Sequence, residues 1–192
     1  MDWMASAMRA AQAQLETATH NLANVASDGF RRLRSELALT GRGLVARATP
    51  DSAQGGIRET GRTLDLALLG RGAFRAGGTE TRNGAFVRDR DGYLADHAGR
   101  RVAGLSGPIR LPEGATVGSD GSIRADGRIV GRLPLPAGTT VRSGALESSS
   151  VDAIGETLAV LTAQRAFETA QKTLVAIDQT REKSVNDVGR LK

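Results

Sequence analysis

Apolar residues recur every three or four positions at both ends of this 192-residue chain, and lose that rhythm in between. Met1, Met4, Met8, Ala11, Leu15, Ala18, Leu22 and Val25 keep a 3-4-3-4 spacing at the N-terminal end. Near the C-terminal end, Val160, Ala163, Phe167, Ala170, Leu174 and Ile177 repeat it, and Ser184, Val188 and Leu191 continue it. A 3.5-residue period places each set on one narrow stripe of a helix, the geometry of a coiled-coil seam. Each stripe needs a partner to cover it, and the other end of the same chain is the nearest one. An earlier stripe, Val151, Ile154, Leu158 and Leu161, gives way to the Val160 series near Leu161, a register shift that alters the local supercoil.

The pattern predicts a first helix from about Asp2 to about Ala26, with the Asp2 carboxylate at the positive end of the helix dipole. Ser27-Asp28-Gly29 ends it, with Gly29 as the left-handed residue, and Phe30 returns to an apolar environment. Residues 35–63 show little periodicity and read as an ordered extended arm, since a structureless loop of that length is uncommon in a compact domain. From Leu64 onward short apolar segments alternate with turns. Strands are predicted at Leu64–Leu68, Ala73–Ala76, Ala85–Val87, Tyr93–Ala95, Ile109–Leu111, Ser122–Ala125 and Ile129–Leu133. Asn83-Gly84, Asp91-Gly92, Asp120-Gly121 and Asp126-Gly127 supply turn chemistry. Two hairpins look alike, one running from Asp91 to Val102 and one from Asp120 to Val130. The C-terminal helix starts after Leu146-Glu147, where Ser149 and Asp152 have capping-box spacing.

Composition sharpens the division. Of 24 glycines, all but Gly155 and Gly189 lie in residues 29–145, and so do all five prolines. The ends are therefore free of helix breakers while the middle is punctuated by them. The expected architecture is α+β: terminal helices paired as a coiled coil (1–30 and 146–192), an arm or linker (31–63), and an all-β domain (64–145). Charge follows the same boundaries, with 19 basic and 11 acidic groups in residues 31–145 and near balance elsewhere. A basic middle opens the alternative of a nucleic-acid-binding adaptor, with Arg31, Arg32 and Arg34 as its densest cluster. The arginines are scattered, however, and only six aromatic residues are present to stack on bases.

Catalytic and metal chemistry find little support. The absence of cysteine excludes disulfides, thiolate metal sites and cysteine nucleophiles. His20 and His97 lack second ligands at helical spacing. Asp89-Arg90-Asp91-Gly92 opens like a calcium loop, but its twelfth position is Arg100 instead of a bidentate Glu. Gly70-Arg71-Gly72 lacks the third glycine of a dinucleotide fingerprint. No cofactor and no enzymatic activity are expected. No apolar run reaches transmembrane length, and the amphipathic N-terminal segment is unlike a cleaved leader.

Five segments, in order, resemble the bacterial flagellar rod and hook protein family. Asn21-Leu22-Ala23-Asn24-Val25-Ala26-Ser27-Asp28-Gly29-Phe30-Arg31 is similar to its N-N-L-A-N-x-x-T-x-G-F-K/R signature, with His20 and Ser27 as departures. Thr63-Leu64-Asp65-Leu66-Ala67 with Gly70-Arg71-Gly72-Ala73-Phe74 resembles P-L-D-L-A-I-x-G-x-G-F-F. Thr81-Arg82-Asn83-Gly84-Ala85-Phe86 and Asp91-Gly92-Tyr93-Leu94 resemble Y-T-R-x-G-x-F and D-G-x-L. Leu146-Glu147-Ser148-Ser149-Ser150-Val151-Asp152 is similar to L-E-x-S-N-V-D, and Gln164-Arg165-Ala166-Phe167-Glu168 to Q-R-A-Y-E. The opening Met1-Asp2 and the length lie nearer the proximal-rod than the distal-rod type, although the chain is shorter than is usual for either.

The resemblance implies a structural subunit of the periplasm-crossing rod, exported through the flagellar type III apparatus without cleavage and assembled with itself and with other rod and hook subunits. It implies paired terminal helices packed against neighbours in a tube, with the β domain outside. The candidate interface residues are Met4, Met8, Leu15, Leu22, Asn24, Phe30, Leu158, Leu161, Gln164, Arg165, Phe167, Leu174 and Ile177. Burying the larger of them stabilises the assembly by roughly 1.5–3 kcal/mol each, and the isolated ends are expected to be disordered before assembly.

Overall fold

The computed structural model describes residues 2–41 and 43–190, with side chains over 3–41 and 43–183. Met1 and Leu191 of the terminal repeats, and the side chains of Asp2, Ser184 and Val188, lie outside the described residues. The elements run in chain order as α1 (Asp2–Ala23), β1 (Leu33–Thr40), β2 (Gly43–Pro50), β3 (Ile57–Glu59), β4 (Leu66–Leu69), β5 (Phe74–Ala76), β6 (Thr79–Thr81), β7 (Phe86–Arg88) and β8 (Leu94–Asp96). They continue as β9 (Ala103–Gly104), β10 (Gly107–Pro108), β11 (Thr116–Val117), β12 (Ser122–Ala125), β13 (Arg128–Arg132), β14 (Thr140–Ser143), β15 (Ala145–Glu147) and α2 (Ala153–Arg190). The fold is α+β, and the chain divides into two compact units.

The helical unit comprises residues 1–23, 33–51 and 152–192. α1 packs against α2 along one side and against the β1–β2 hairpin along another. Its buried positions are small or polar: Ser6, Ala10, Ala11, Ala18 and Asn21. On α2 the buried alanines are Ala163 and Ala170, and small side chains on both helices allow the backbones to approach closely. The carboxamide of Asn21 anchors the hairpin as a neighbouring strand would. Its Nδ2 donates to the Leu33 carbonyl at 2.8 Å, and its Oδ1 accepts from the Leu33 N–H at 2.8 Å. Further along, the Leu44 N–H donates to Ser6 Oγ at 3.1 Å. Residues 33–50, expected within a single extended arm, therefore fold back on themselves as a hairpin, in register from Leu33↔Pro50 to Thr40↔Gly43.

The first helix ends at Ala23, three residues sooner than its apolar period suggests. Asn24 and Ser27 bond to each other by side chain and by backbone, a local turn that competes with helical pairing. At the other end α2 begins at Ala153, and Asp152 is its cap, with Oδ1 accepting the Ile154 N–H at 3.1 Å. Ser149 does not cap it. Residues 148–150 are held extended by backbone bonds to Gly56 and Phe30, so helical geometry cannot start earlier.

The β-rich unit comprises residues 24–32 and 52–151. Its strands form short antiparallel ladders: β14 with β4, β15 with β3, β5 with β6, β7 with β8, β9 with β10, and β11-β12-β13. These wrap one apolar core built from Leu66, Leu68, Phe74, Phe86, Leu94, Val102, Ile109, Ile123, Leu133 and Val141. Phe74 and Phe86 meet edge to face at 5.0 Å in its centre. Both look-alike hairpins form, with turns at Asp96–Gly99 and Asp126–Gly127. Ile109–Leu111, flanked by Pro108 and Pro112, which lack the N–H a longer ladder needs, is joined by a bridge between Tyr93 and Arg110 and by backbone bonds to Gly92, Leu94 and Val102.

Candidate assembly site

The motif segments that look unrelated in sequence meet at one place in the β-rich unit. Arg82, only 4% exposed, lies at its centre. Nε donates to Glu147 Oε2 at 2.8 Å, Nη1 to the carbonyls of Gly70 and Gly72 at 2.9 Å each, and Nη2 to the Leu68 carbonyl at 3.2 Å. Glu147 Oε1 in turn accepts the Gly55 N–H at 3.2 Å. Both charges are buried and every arm of the fork is used, which offsets much of the cost of removing the pair from water.

Around this pair the chain segments bordering the helical unit are fastened together. The Gly29 N–H donates to the Glu147 carbonyl at 2.6 Å, and the Ser150 N–H donates to the Phe30 carbonyl at 3.0 Å. The Arg32 N–H donates to Ser150 Oγ at 3.0 Å. Gly29 has a φ of +70°, and a Cβ there would lie 2.2–2.5 Å from the backbone of Arg82 and Asn83. Only glycine fits that conformation and that approach. Gly84 is held as tightly, its missing Cβ falling 1.7 Å from the Leu66 carbonyl oxygen. Arg58 pairs with Asp28 at 3.1 Å on the exposed side. The clamp thus joins residues 28–32, 54–56, 68–72, 82–84 and 147–150.

The seam residues of the helical unit divide by size. Met4, Met8, Leu15 and Leu22 on α1 are half-buried, as are Phe167, Leu174 and Ile177 on α2. Met8 shares an open groove with Leu174, Val175 and Gln179, which places the start of α1 beside the later turns of α2. The earlier α2 stripe is uncovered: Ile154 is 74% exposed, Leu158 59% and Leu161 48%. Gln164 and Arg165 are exposed, with Gln164 Nε2 donating to Glu168 at 3.3 Å. Asn24 and Phe30 belong to the β-rich unit, Asn24 in the turn with Ser27 and Phe30 in the clamp. Sequence reasoning passed over Asn21, Arg82 and Glu147 as site residues, although each stands inside a quoted motif.

Several arginines of the basic middle are engaged in ion pairs. Arg34 pairs with Asp51, Arg62 with Asp65, Arg75 with Glu80, Arg100 with Asp96, Arg132 with Asp120 and Arg142 with Glu59. Arg101 reaches both Asp89 and Asp91 and stacks on the Tyr93 ring at 4.3 Å. The Tyr93 N–H is the main cause holding the Asp89 carboxyl below its ordinary pKa, with Arg101 adding to it. At Asp96 burial pushes upward, but hydrogen bonds from Arg100 and Ala98 outweigh it and the pKa is lowered. The Ser122 hydroxyl and N–H lower Asp120. Among the described residues no three His, Asp or Glu converge as a metal site.

Comparison with known proteins bears on the same segments. Residues 142–187 match the family model for the flagellar basal body rod FlgEFG protein C-terminal region. The chain is similar to the flagellar basal-body rod protein FlgF of Escherichia coli K12, at 32% identity over 91% of this chain and 92% of that protein. It is similar to the flagellar basal-body rod protein FlgG of Bacillus subtilis 168, at 28% identity over 94% and 96%. The flagellar hook protein FlgE of Brucella abortus matches 58% of the chain at 34% identity. The FlgF alignment spans 232 positions against 192 residues here, so that relative carries internal residues this chain lacks. These relatives are structural proteins and not enzymes, and they place this chain in the flagellar basal body. With four of its motif segments joined in one clamp and most of its length matched, the chain belongs to the family of flagellar basal-body rod and hook proteins.

Proposed function

We propose that the chain is a subunit of the flagellar rod, of the FlgF-like proximal type, that self-assembles through its terminal helices into the drive shaft and carries torque across the periplasm. The observation that supports this most is the uncovered stripe Ile154, Leu158 and Leu161 on a helix whose other stripe is covered by α1. Water-facing aliphatic residues at i, i+4 and i+7 are unfavourable on an isolated protein and suit a helix that meets further helices. In this reading the Ala11–Ala18 and Ala163–Ala170 faces pair within one subunit as a coiled coil. The residues left half-buried or exposed (Met4, Met8, Leu15, Leu22, Leu158, Leu161, Gln164, Arg165, Phe167, Leu174 and Ile177) serve contacts with neighbouring rod and hook subunits. Asn24 and Phe30 set the chain path out of α1. The terminal segments 1–30 and 146–192 form the assembly part, delivered by the flagellar type III export apparatus.

The test is incorporation. Leu158→Glu together with Leu161→Glu is expected to remove the chain from purified basal bodies and abolish swimming, while circular dichroism of the soluble protein stays unchanged. Normal incorporation of that variant overturns the assembly role of the stripe.

A further inference from the structure

α1 fully buries only Ser6, Ala10, Ala11, Ala18 and Asn21, side chains that remove little apolar area from water, and Met4, Met8, Leu15 and Leu22 are covered only in part. Its last turns, Thr17-Ala18-Thr19-His20-Asn21, are made mostly of weak helix formers. The Thr17 and Thr19 hydroxyls are turned back onto the carbonyls of Ala13 and Leu15, within the helix itself. A helix of that composition depends on what is packed beside it. Two specific ties come from the β1–β2 hairpin. Asn21 exchanges two hydrogen bonds with the Leu33 backbone, and Ser6 Oγ accepts the Leu44 N–H while donating to the Trp3 carbonyl.

The two ties match in length. Ser6 and Asn21 are fifteen residues apart on α1, about 22 Å at 1.5 Å per residue. Leu44 pairs with Leu39, so it lies six residues along the ribbon from Leu33, about 20 Å at 3.3 Å per residue. One straight ribbon therefore reaches both ends of the helix, with β1 antiparallel to α1, and a one-turn slip of the helix would break both ties. They are also local. Asn21 and Leu33 are 12 residues apart, and Ser6 and Leu44 38, whereas α2 begins only at Ala153. Closing those shorter loops costs less entropy than bringing in α2. We infer that the hairpin is a splint that keeps α1 helical in the free subunit, independently of its pairing with α2. The N-terminal end is then ordered before assembly, against the expectation of disorder for both free ends. In the rod-subunit reading, on which this one consequence rests, α1 meets its neighbours already in shape and less ordering is left to oppose assembly.

Hydrogen exchange of the soluble full-length chain, read by mass spectrometry, tests the splint. In the unsubstituted chain, residues 5–22 are expected to exchange at least about tenfold more slowly than an unfolded chain. Ser6→Ala with Asn21→Leu removes both ties and is expected to speed that exchange roughly tenfold. Ala163→Glu with Ala170→Glu opens the α1–α2 contact instead and is expected to leave it within about threefold. The inference is wrong if residues 5–22 of the unsubstituted chain exchange as an unfolded chain does. It is equally wrong if the splint variant does not speed their exchange more than the Ala163 and Ala170 variant does. Should the splint variant also loosen residues 52–151, Ser6→Ala alone decides. Alanine is the better helix former, so faster exchange at residues 3–12 reports the lost tie, and unchanged exchange there refutes the splint. Incorporation into basal bodies tests the rod reading separately, so either can fail without the other.

Discussion

Arg82 and Glu147 are 65 residues apart in the chain and act as one group. Removing either leaves the other charged and buried, at a cost of about 3–5 kcal/mol. Arg82→Leu is accordingly expected to lower the urea midpoint by that equivalent, measured on the soluble protein. An ordinary buried pair can be exchanged for apolar residues with little loss, but Arg82→Met with Glu147→Leu is not expected to recover stability here. The carbonyls of Gly70 and Gly72 and the Gly55 N–H would lose these partners, while the Leu68 carbonyl would keep only Gln54 Nε2. Asn21 is a second case. Asn21→Leu keeps the volume but strands both Leu33 backbone groups, and is expected to cost about 1–3 kcal/mol by the same unfolding measurement. These residues were legible as letters of motifs. Their pairing was not, because nothing local in sequence reports a contact across 65 positions.

At the scale of elements, the helices were the most legible part, since a 3.5-residue period extends over many turns. Their ends were less so. The Asn24–Ser27 turn stops α1 early, and the clamp on residues 148–150 delays α2 until Asp152. Asp152→Ala removes that cap and is expected to cost about 1 kcal/mol, seen as reduced helicity on thermal scans. The turn carboxylates give the β-rich unit a pH dependence of definite sign. Asp89, Asp96 and Asp120 are held below their ordinary values, so the fold favours their ionised forms. Their contribution is complete above about pH 4 and is lost as pH falls through the depressed folded values. Thermal midpoints measured from pH 7 to pH 2 should drop steeply below pH 4. The drop should be shallower in a variant carrying Asp89→Asn, Asp96→Asn and Asp120→Asn. The β1–β2 hairpin escaped notice because Leu37, Ala38 and Leu39 break the alternation that marks a strand with one wet face.

For the whole molecule, the proposed role is tested by assembly. Deleting residues 1–28 or 150–192 is expected to abolish incorporation into basal bodies. An unchanged basal-body content of either truncated chain would falsify the assignment of assembly to the ends. By itself the sequence determined that two breaker-free helices bracket a glycine-punctuated β region, and its ordered motifs carried the family. Those are matters of local spacing and of short signatures, which a chain displays before it folds. Periodicity states which residues share a stripe, but not which stripe another element covers. Only the tertiary structure decided that alanines line the α1–α2 contact while Ile154, Leu158 and Leu161 face outward. Only it joined Gly29, Arg82 and Glu147 in one clamp, and laid the hairpin along α1. Each of these depends on closing long loops, whose outcome rests on packing across the chain and not on any one segment.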